Sequence, residues 1–410
     1  MFKSISKNAL FITAVLLFTG CGGGGGSSNN NNNQNLNKTI TGKAIDGYIK
    51  GATVCLDTDK DGNCNNENYK NTTDENGSYT LIVSGNINKE TPLIVQGGID
   101  TTTGGEINAT FKAPYDGSKS INITPLTTLA YNIIKEENIN INQAYKKVAK
   151  VLLGSNDPNI VKIDYIKEKN TTIGKKVLKI HQTAKLLDEV TNEEIDEIYK
   201  HLSEGILKVA QENKNDVNIT TIVEEIKSDI SSNIKIEKIV KTIEALESII
   251  DENDTIDDEV VIKIDYLIEN NITQIIIDKI NENNNTDDIK NLIEENMESI
   301  EPEKIKIENI LKNEFNITNS NITTNIETII SNLNITSASD ISKEKLCELK
   351  DINNTIYQQL QLDKECEDSN NIENIQENLI LPPTVPIINN NGEINSSQGE
   401  LALPPTVPQI

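Results

Sequence analysis

The spacing of apolar residues changes period at residue 124, and that change commits the chain to two kinds of structure laid end to end. From 39 to 124, short β-branched runs such as "TITGKAIDG", "GATVCLD", "GSYTLIV" and "TPLIVQGG" are divided by Gly, Asn and Asp turns, the pattern of strands. Tyr79, Leu81 and Val83 alternate onto one face, and the preceding Asn76-Gly77 pair is a hairpin-turn signal. At "NITPLTTLAYNII" the pattern switches, with Thr124 placed to cap a helix whose first residue is Pro125. From 125 to 380 the spacing is helical, and Val177, Ile180, Ala184 and Leu187 fall in one stripe. "KIDYIKEKNTT" (162–172) and "KIDYLIENNIT" (263–273) match, hinting at a duplicated helical unit. The expected fold class is a small all-β sandwich followed by a mainly α-helical domain.

Both ends read as unpacked chain. Residues 1–20 form a secretory signal: Lys3 and Lys7 give a basic start, and the apolar run Ala9 to Phe18 is too short to span a bilayer. The run ends in "LFTGC", which resembles the lipobox of bacterial lipoproteins, with Phe18 in place of the usual aliphatic residue. The resemblance implies cleavage before Cys21, a diacylglycerol on its sulfur, and a protein lipid-anchored in the cell envelope, at the outer membrane or cell surface. The next stretch, "GGGGGSSNNNNNQNLNK" (22–38), is a flexible, disordered tether reaching about 20–25 Å on a random-coil estimate. In the Pro-rich tail, 381–410, "LPPTVP" occurs twice. Such segments favour extended polyproline II, either as a stiff spacer or as a peptide ligand for a partner's groove.

Beyond Cys21, four cysteines fall into two local pairs, Cys55 with Cys64 and Cys347 with Cys366. In an exported chain these are expected disulfides, each stabilising by roughly 3 kcal/mol on the chain-entropy model. Neither pair has C-x-x-C spacing and both histidines lie far away, so a zinc site is not expected. The first pair flanks the core of "VCLDTDKDGNCNNEN", in which Asp57, Asp59 and Asp61 occupy positions one, three and five of a twelve-residue calcium pattern. Gly62 takes the turn position, the Asn63 carbonyl and Asn65 add oxygens, and Glu67 stands one place before the usual bidentate acid, where Asn68 sits. Calcium is therefore the expected cofactor, in a single strand-flanked loop. The other reading is a disulfide-closed polar turn. The order "G-x-A-x-D-G", "GATVCLD", "TTDENGSYTL" resembles the prealbumin-like sandwich of carboxypeptidase-regulatory and Cna-B/SdrD-B-type modules, over about 85 residues. The stretch from "PLTTLAYNII" through "KKVLKIHQTAKLL" is similar to helical segments that follow such sandwiches in other bacterial lipoproteins. The resemblance implies a fold and no activity.

A net charge of −25 and a pI near 4.5 argue against nucleic acid as a partner. The chain has no Trp and only 4% aromatics, which argues against a sugar groove built on stacked indoles. Catalytic signatures such as G-x-S-x-G, a P-loop or H-E-x-x-H are absent. His181 reads as a half-buried structural residue beside its helix stripe, and His201 as part of a solvated face. No enzyme is expected. The chain reads instead as a binding or adhesion component with a protein or glycan ligand, or as an envelope spacer. A binding module should show a concave site on the sandwich loops. An enzyme would need a cleft with polar groups converging on His181 or the acidic helices.

Fifteen asparagines begin N-x-S/T sequons. Ten carry Asp or Glu two residues earlier: Asn76, Asn108, Asn170, Asn218, Asn253, Asn271, Asn284, Asn316, Asn353 and Asn395. With 63 acids in 410 residues, chance placement gives about two, and only five of the roughly 35 other asparagines beyond residue 38 have an acid there. The pattern resembles the extended acceptor signal of bacterial periplasmic N-glycosylation, which makes these ten the expected glycan sites.

Overall fold

Eight short strands precede the first helix: β1 (Lys38–Lys43), β2 (Ile49–Lys50), β3 (Thr53–Leu56), β4 (Lys70–Thr72), β5 (Ser78–Val83), β6 (Pro92–Gln96), β7 (Ile99–Asp100) and β8 (Phe111–Pro114). This computed structural model describes residues 37–366 apart from 231–235, 253, 282, 318 and 364–365. The signal segment, Cys21, most of the tether, Asn253, Asn395 and the Pro-rich tail lie outside the described residues. The strands form small antiparallel sheets, β1 with β5, β2 with β7, and a four-stranded sheet in the order β4-β3-β6-β8.

Side-chain alternation works as expected on β5, where Tyr79, Leu81 and Val83 are buried and Thr80 and Ile82 face solvent. The Asn76-Gly77 turn forms as well, closed by Gly77 N–H to the Asp74 carbonyl, with Gly77 at φ 67°. It does not make a hairpin. β4 pairs with β3 and β5 with β1, so the turn carries the chain from one sheet to another. On β6, Leu93, Ile94 and Val95 are all buried, because Ile94 packs on the Cys55 and Cys64 side chains while its neighbours join the main core.

The helical part begins where the sequence places it. Thr124 accepts from Thr127 N–H through its side chain, Thr127 returns the bond to the Thr124 N–H, and Pro125 opens α1 (Pro125–Glu137). There follow α2 (Ile141–Leu153), α3 (Thr171–Thr191), α4 (Ile195–Gln211), α5 (Ile219–Ile226), α6 (Ile236–Glu252) and α7 (Asp258–Glu269). The remainder comprises α8 (Ile272–Lys279), α9 (Thr286–Met297), α10 (Pro302–Asn313), α11 (Asn319–Leu333), α12 (Lys343–Cys347), α13 (Leu349–Ile352) and α14 (Asn354–Gln359). The expected stripe on α3 is fully buried at Val177, Ile180, Ala184 and Leu187. The two matching stretches do not share a structure: 163–170 is turn and bend, whereas 263–269 is helix within α7. A duplicated helical unit is therefore not seen there.

One hydrophobic core runs without a break from Ile40 in β1 to Ile300, so the strand region and the first nine helices share an interior. A second cluster, from Ile307 to Leu362, holds α10 to α14 together. The Cys347–Cys366 disulfide closes that smaller unit. Asn309 and Asn313 on α10 donate to the carbonyls of Thr103 and Gly104, tying the unit back to the loop after β7. Among the described residues no helix is long and apolar enough to cross a membrane.

Candidate functional site

The acidic loop leaves β3 with its first carboxylate already in the protein interior. Asp57 is 1% exposed, while Asp59 and Asp61 are exposed. Asp57 Oδ2 accepts from Gly62 N–H at 3.2 Å, and Gly62 makes the reversal at φ 85°, where a side chain would be strained. Three successive side-chain bonds then shape the rim. Asp59 Oδ1 accepts from Asp61 N–H, Asp61 Oδ1 from Asn63 N–H, and Asn63 Oδ1 from Asn65 N–H. The result gathers one oxygen each from Asp57, Asp59 and Asp61 within 4.8 Å of one another, a group that can hold a metal ion.

Asp57 Oδ1 is buried and has no hydrogen-bond partner, the kind of vacancy that a cation would satisfy. Burial is the main reason the Asp57 carboxyl titrates above the usual aspartate range, with Asp59 and Glu67 adding to it and the Gly62 N–H opposing it. Glu67 takes a different part from the one its spacing implies. Its carboxylate accepts from the Thr58 and Asp59 N–H groups and from Thr58 Oγ1, so it clamps the loop's outer turn and is not in the group of three. The Asn63 side chain likewise serves loop geometry, and neither Asn63 nor Asn65 is in the group of three. Cys55 and Cys64 form the expected disulfide at the base, with Cα atoms 5.6 Å apart and both residues buried. It fixes the loop ends so that three like charges meet without a large ordering cost. About 10 mM of a hard divalent cation, with calcium as the probe, should therefore raise the unfolding free energy of the oxidised protein by about 1.5–3 kcal/mol, the gain for an oxygen-ligand site of weak affinity. Reduction, or Asp57→Asn, should remove most of that gain. An unfolding curve that calcium leaves unmoved would reduce the motif to a stapled turn.

A second constellation was not visible in the sequence. The β1–β2 turn (46–47), Asp100 with the loop after β7 (101–107), the segments before α3 and α7, and α3 and α7 themselves line a cavity of about 330 Å³. His181 lines it and is 6% exposed, deeper than the half-buried position expected. Its Nε2 lies 3.0 Å from Asp46 Oδ2 and its Nδ1 3.0 Å from the Tyr199 hydroxyl. Burial, helped by Lys185, pushes His181 down to about 3, so the imidazole is neutral at physiological pH. Asp100 accepts from Thr102 N–H and Thr103 Oγ1 and sits over Gly47, where a Cβ would come within 2.0 Å of its Oδ1. Burial pushes Asp100 up to about 6, and it raises Asp46 well above the usual range as well, with Asp100 as a further cause. Lys185 bridges Asp265 Oδ1 at 2.9 Å and Glu269 Oε1 at 2.8 Å, and Gln182 Nε2 also donates to Asp265. His201 is not on a solvated face. It is partly buried between Glu193 and Glu204.

Eight of the ten glycan candidates are described. Asn76, Asn108, Asn218, Asn271 and Asn316 are exposed. Asn170, Asn284 and Asn353 are partly buried, their Oδ1 atoms accepting from Ile173, Asn281 and Ile356 N–H groups. No protein family, no curated protein and no solved structure matches this chain.

Proposed function

We propose that the chain is an exported lipoprotein of the bacterial cell envelope, tethered to a membrane by lipid on Cys21 and carrying N-linked glycans, that acts as a non-catalytic binding or adhesion component. On this reading the strand region is the prealbumin-like sandwich that its motifs resemble, and the ion of the acidic loop is calcium. The observation that carries the proposal is the acidic loop itself. A disulfide closes it, which suits an oxidising compartment. Its oxygen-only donors suit a hard cation at the high concentrations found outside cells. A pure spacer has no use for a cleft that sets buried carboxyl groups beside apolar side chains, so the cleft beside His181 favours binding over spacing.

Mass spectrometry of the protein from its native host tests this reading. The mature N-terminus should be Cys21 with a diacylglycerol mass on it, and glycopeptides should cover Asn76, Asn108, Asn218, Asn271 and Asn316. Asn37, Asn71, Asn122, Asn321 and Asn334, which lack the preceding acid, should stay largely bare. An unmodified Cys21 would remove the anchor, and equal occupancy of the two sets would remove the acidic-sequon reading.

A further inference from the structure

The cavity between the strand-region loops and α3 and α7 has a chemical bias that narrows what it can hold. At its polar end lie two buried carboxyl groups, Asp46 and Asp100, and among the described residues neither forms an ion pair with a lysine. Two lysines line the cavity against six acids, Asp46, Asp100, Glu106, Asp258, Asp265 and Glu269; Lys185 is held by Asp265 and Glu269, and Lys169 is exposed. His181 adds no positive charge, because both of its ring nitrogens are engaged by Asp46 and Tyr199. Gln182, 2% exposed, lines the same cavity, and its Oε1 is buried without a hydrogen-bond partner while its Nε2 serves Asp265.

What remains open in this cavity is therefore acceptor capacity and negative charge. An anion would enter a lining in which carboxyl groups outnumber lysines six to two. A neutral hydroxyl could satisfy Gln182 but would leave Asp100 without a counter-charge. A single metal ion is poorly suited too: among the described residues, only Asp57, Asp59 and Asp61 bring three acidic, histidine or cysteine ligand atoms within 4.8 Å. Ile107, Leu178, Ile256 and Val261 line the same cavity and supply an apolar wall. Gly174 on α3 lets that wall close, since a Cβ there would come within 2.3 Å of Ile256. The volume, about 330 Å³, is at the small end of ligand pockets, about 300–1,000 Å³.

We propose that this cavity binds a small primary amine, its ammonium group donating to Asp100, Asp46 and Gln182 Oε1 and its short apolar chain lying against Ile107, Leu178, Ile256 and Val261. The assignment deepens the binding role proposed above and rests on it, and it is independent of the acidic loop and of the lipid anchor.

The test is calorimetric titration of the full-length mature chain with n-butylammonium, n-butanol and butyrate as probes. The amine should bind saturably at one site and at least about tenfold more tightly than the alcohol, because a buried charge partner is worth more than that factor. Butyrate should not bind. Asp100→Asn should weaken the amine by about tenfold or more, whereas Asp57→Asn, in the acidic loop, should leave it unchanged. The comparison of the three probes uses the wild-type chain, so it decides the matter even if Asp100→Asn folds poorly. Amine and alcohol binding alike would overturn the ammonium assignment and leave a binding cavity of other chemistry. No saturable binding of any probe would overturn both the assignment and the cavity's part in the binding role.

Discussion

Lys185→Met is expected to destabilise the protein by about 3–5 kcal/mol at neutral pH, the cost of removing one partner from a buried ion pair. The Lys185 side chain is only 16% exposed, and it reaches Asp265, itself 12% exposed, and Glu269 from the facing helix. Burial alone would lower the lysine's affinity for its proton, but the two carboxylates reverse that and raise it. Without the ammonium, Asp265 would remain buried with only the Gln182 amide as a donor. Asp46 and Asp100, both already raised in part by Asp265, would feel its charge unscreened. Methionine keeps the length and apolar packing of the lysine stem, so the loss isolates charge from volume. Denaturant unfolding gives the number. Adding Asp265→Asn to the variant should recover a substantial part of the loss, because the orphaned charge goes with it. A cost below about 1 kcal/mol would mean that water reaches the pair freely, as it does at surface salt bridges.

Features written in neighbouring residues were legible, and features assembled from distant ones were not. The switch from strand to helix, the Thr124 cap, the α3 stripe and both disulfides all depend on residues close together in sequence, and the structure has them where the spacing puts them. The Asn76-Gly77 turn was equally local, yet its hairpin was not, because pairing depends on which strand edges are free. β5 finds β1, and β4 finds β3. The matching "KIDY" stretches show the same limit. Asp257 caps a helix upstream of the second, so it lies within α7, whereas the first follows a 3₁₀ turn and precedes the Asn170 cap. Identical residues take opposite states because the caps differ. In the acidic loop the three aspartates were legible as a group, but the role of Glu67 was not, since folding turned its carboxylate toward the Thr58 and Asp59 N–H groups. The cavity was the least legible, being built from residues near 46, 100, 170, 181 and 265. One local trace existed. His181, Gln182 and Lys185 lie on a helix whose apolar residues Ile180, Ala184, Leu186 and Leu187 are buried on several faces. Polar residues there had to be buried as well, and each needed a partner.

Asp100→Asn is expected to act oppositely to Lys185→Met, stabilising the protein, and only above mildly acidic pH. Asp100 is pushed up to about 6 in the folded state by burial, from the 3.8 of an unperturbed aspartate. The folded protein thus holds this proton more tightly than the unfolded chain does. Stability from that difference is fully present below the unfolded value and is lost as the pH rises through the folded one. Above about pH 7 the buried, unpaired charge costs on the order of 3 kcal/mol. Asparagine removes the charge, keeps an oxygen for the Thr102 N–H and turns its amide N–H to donate to Thr103 Oγ1, so the fold should tolerate it. The wild-type profile by itself cannot isolate the effect. His181, held down to about 3, contributes stability above its unfolded value that is lost as the pH falls, the opposite slope over the same window. The difference between variant and wild type cancels that background. It should be near zero at about pH 4 and climb to about 2–3 kcal/mol in favour of the variant by about pH 8. A flat difference across that range would mean that Asp100 ionises without penalty, and then its carboxylate is solvated and the cavity is not the low-dielectric pocket described here. A difference that climbs, together with loss of amine binding in the same variant, would identify Asp100 as a residue that lowers stability for the sake of a ligand.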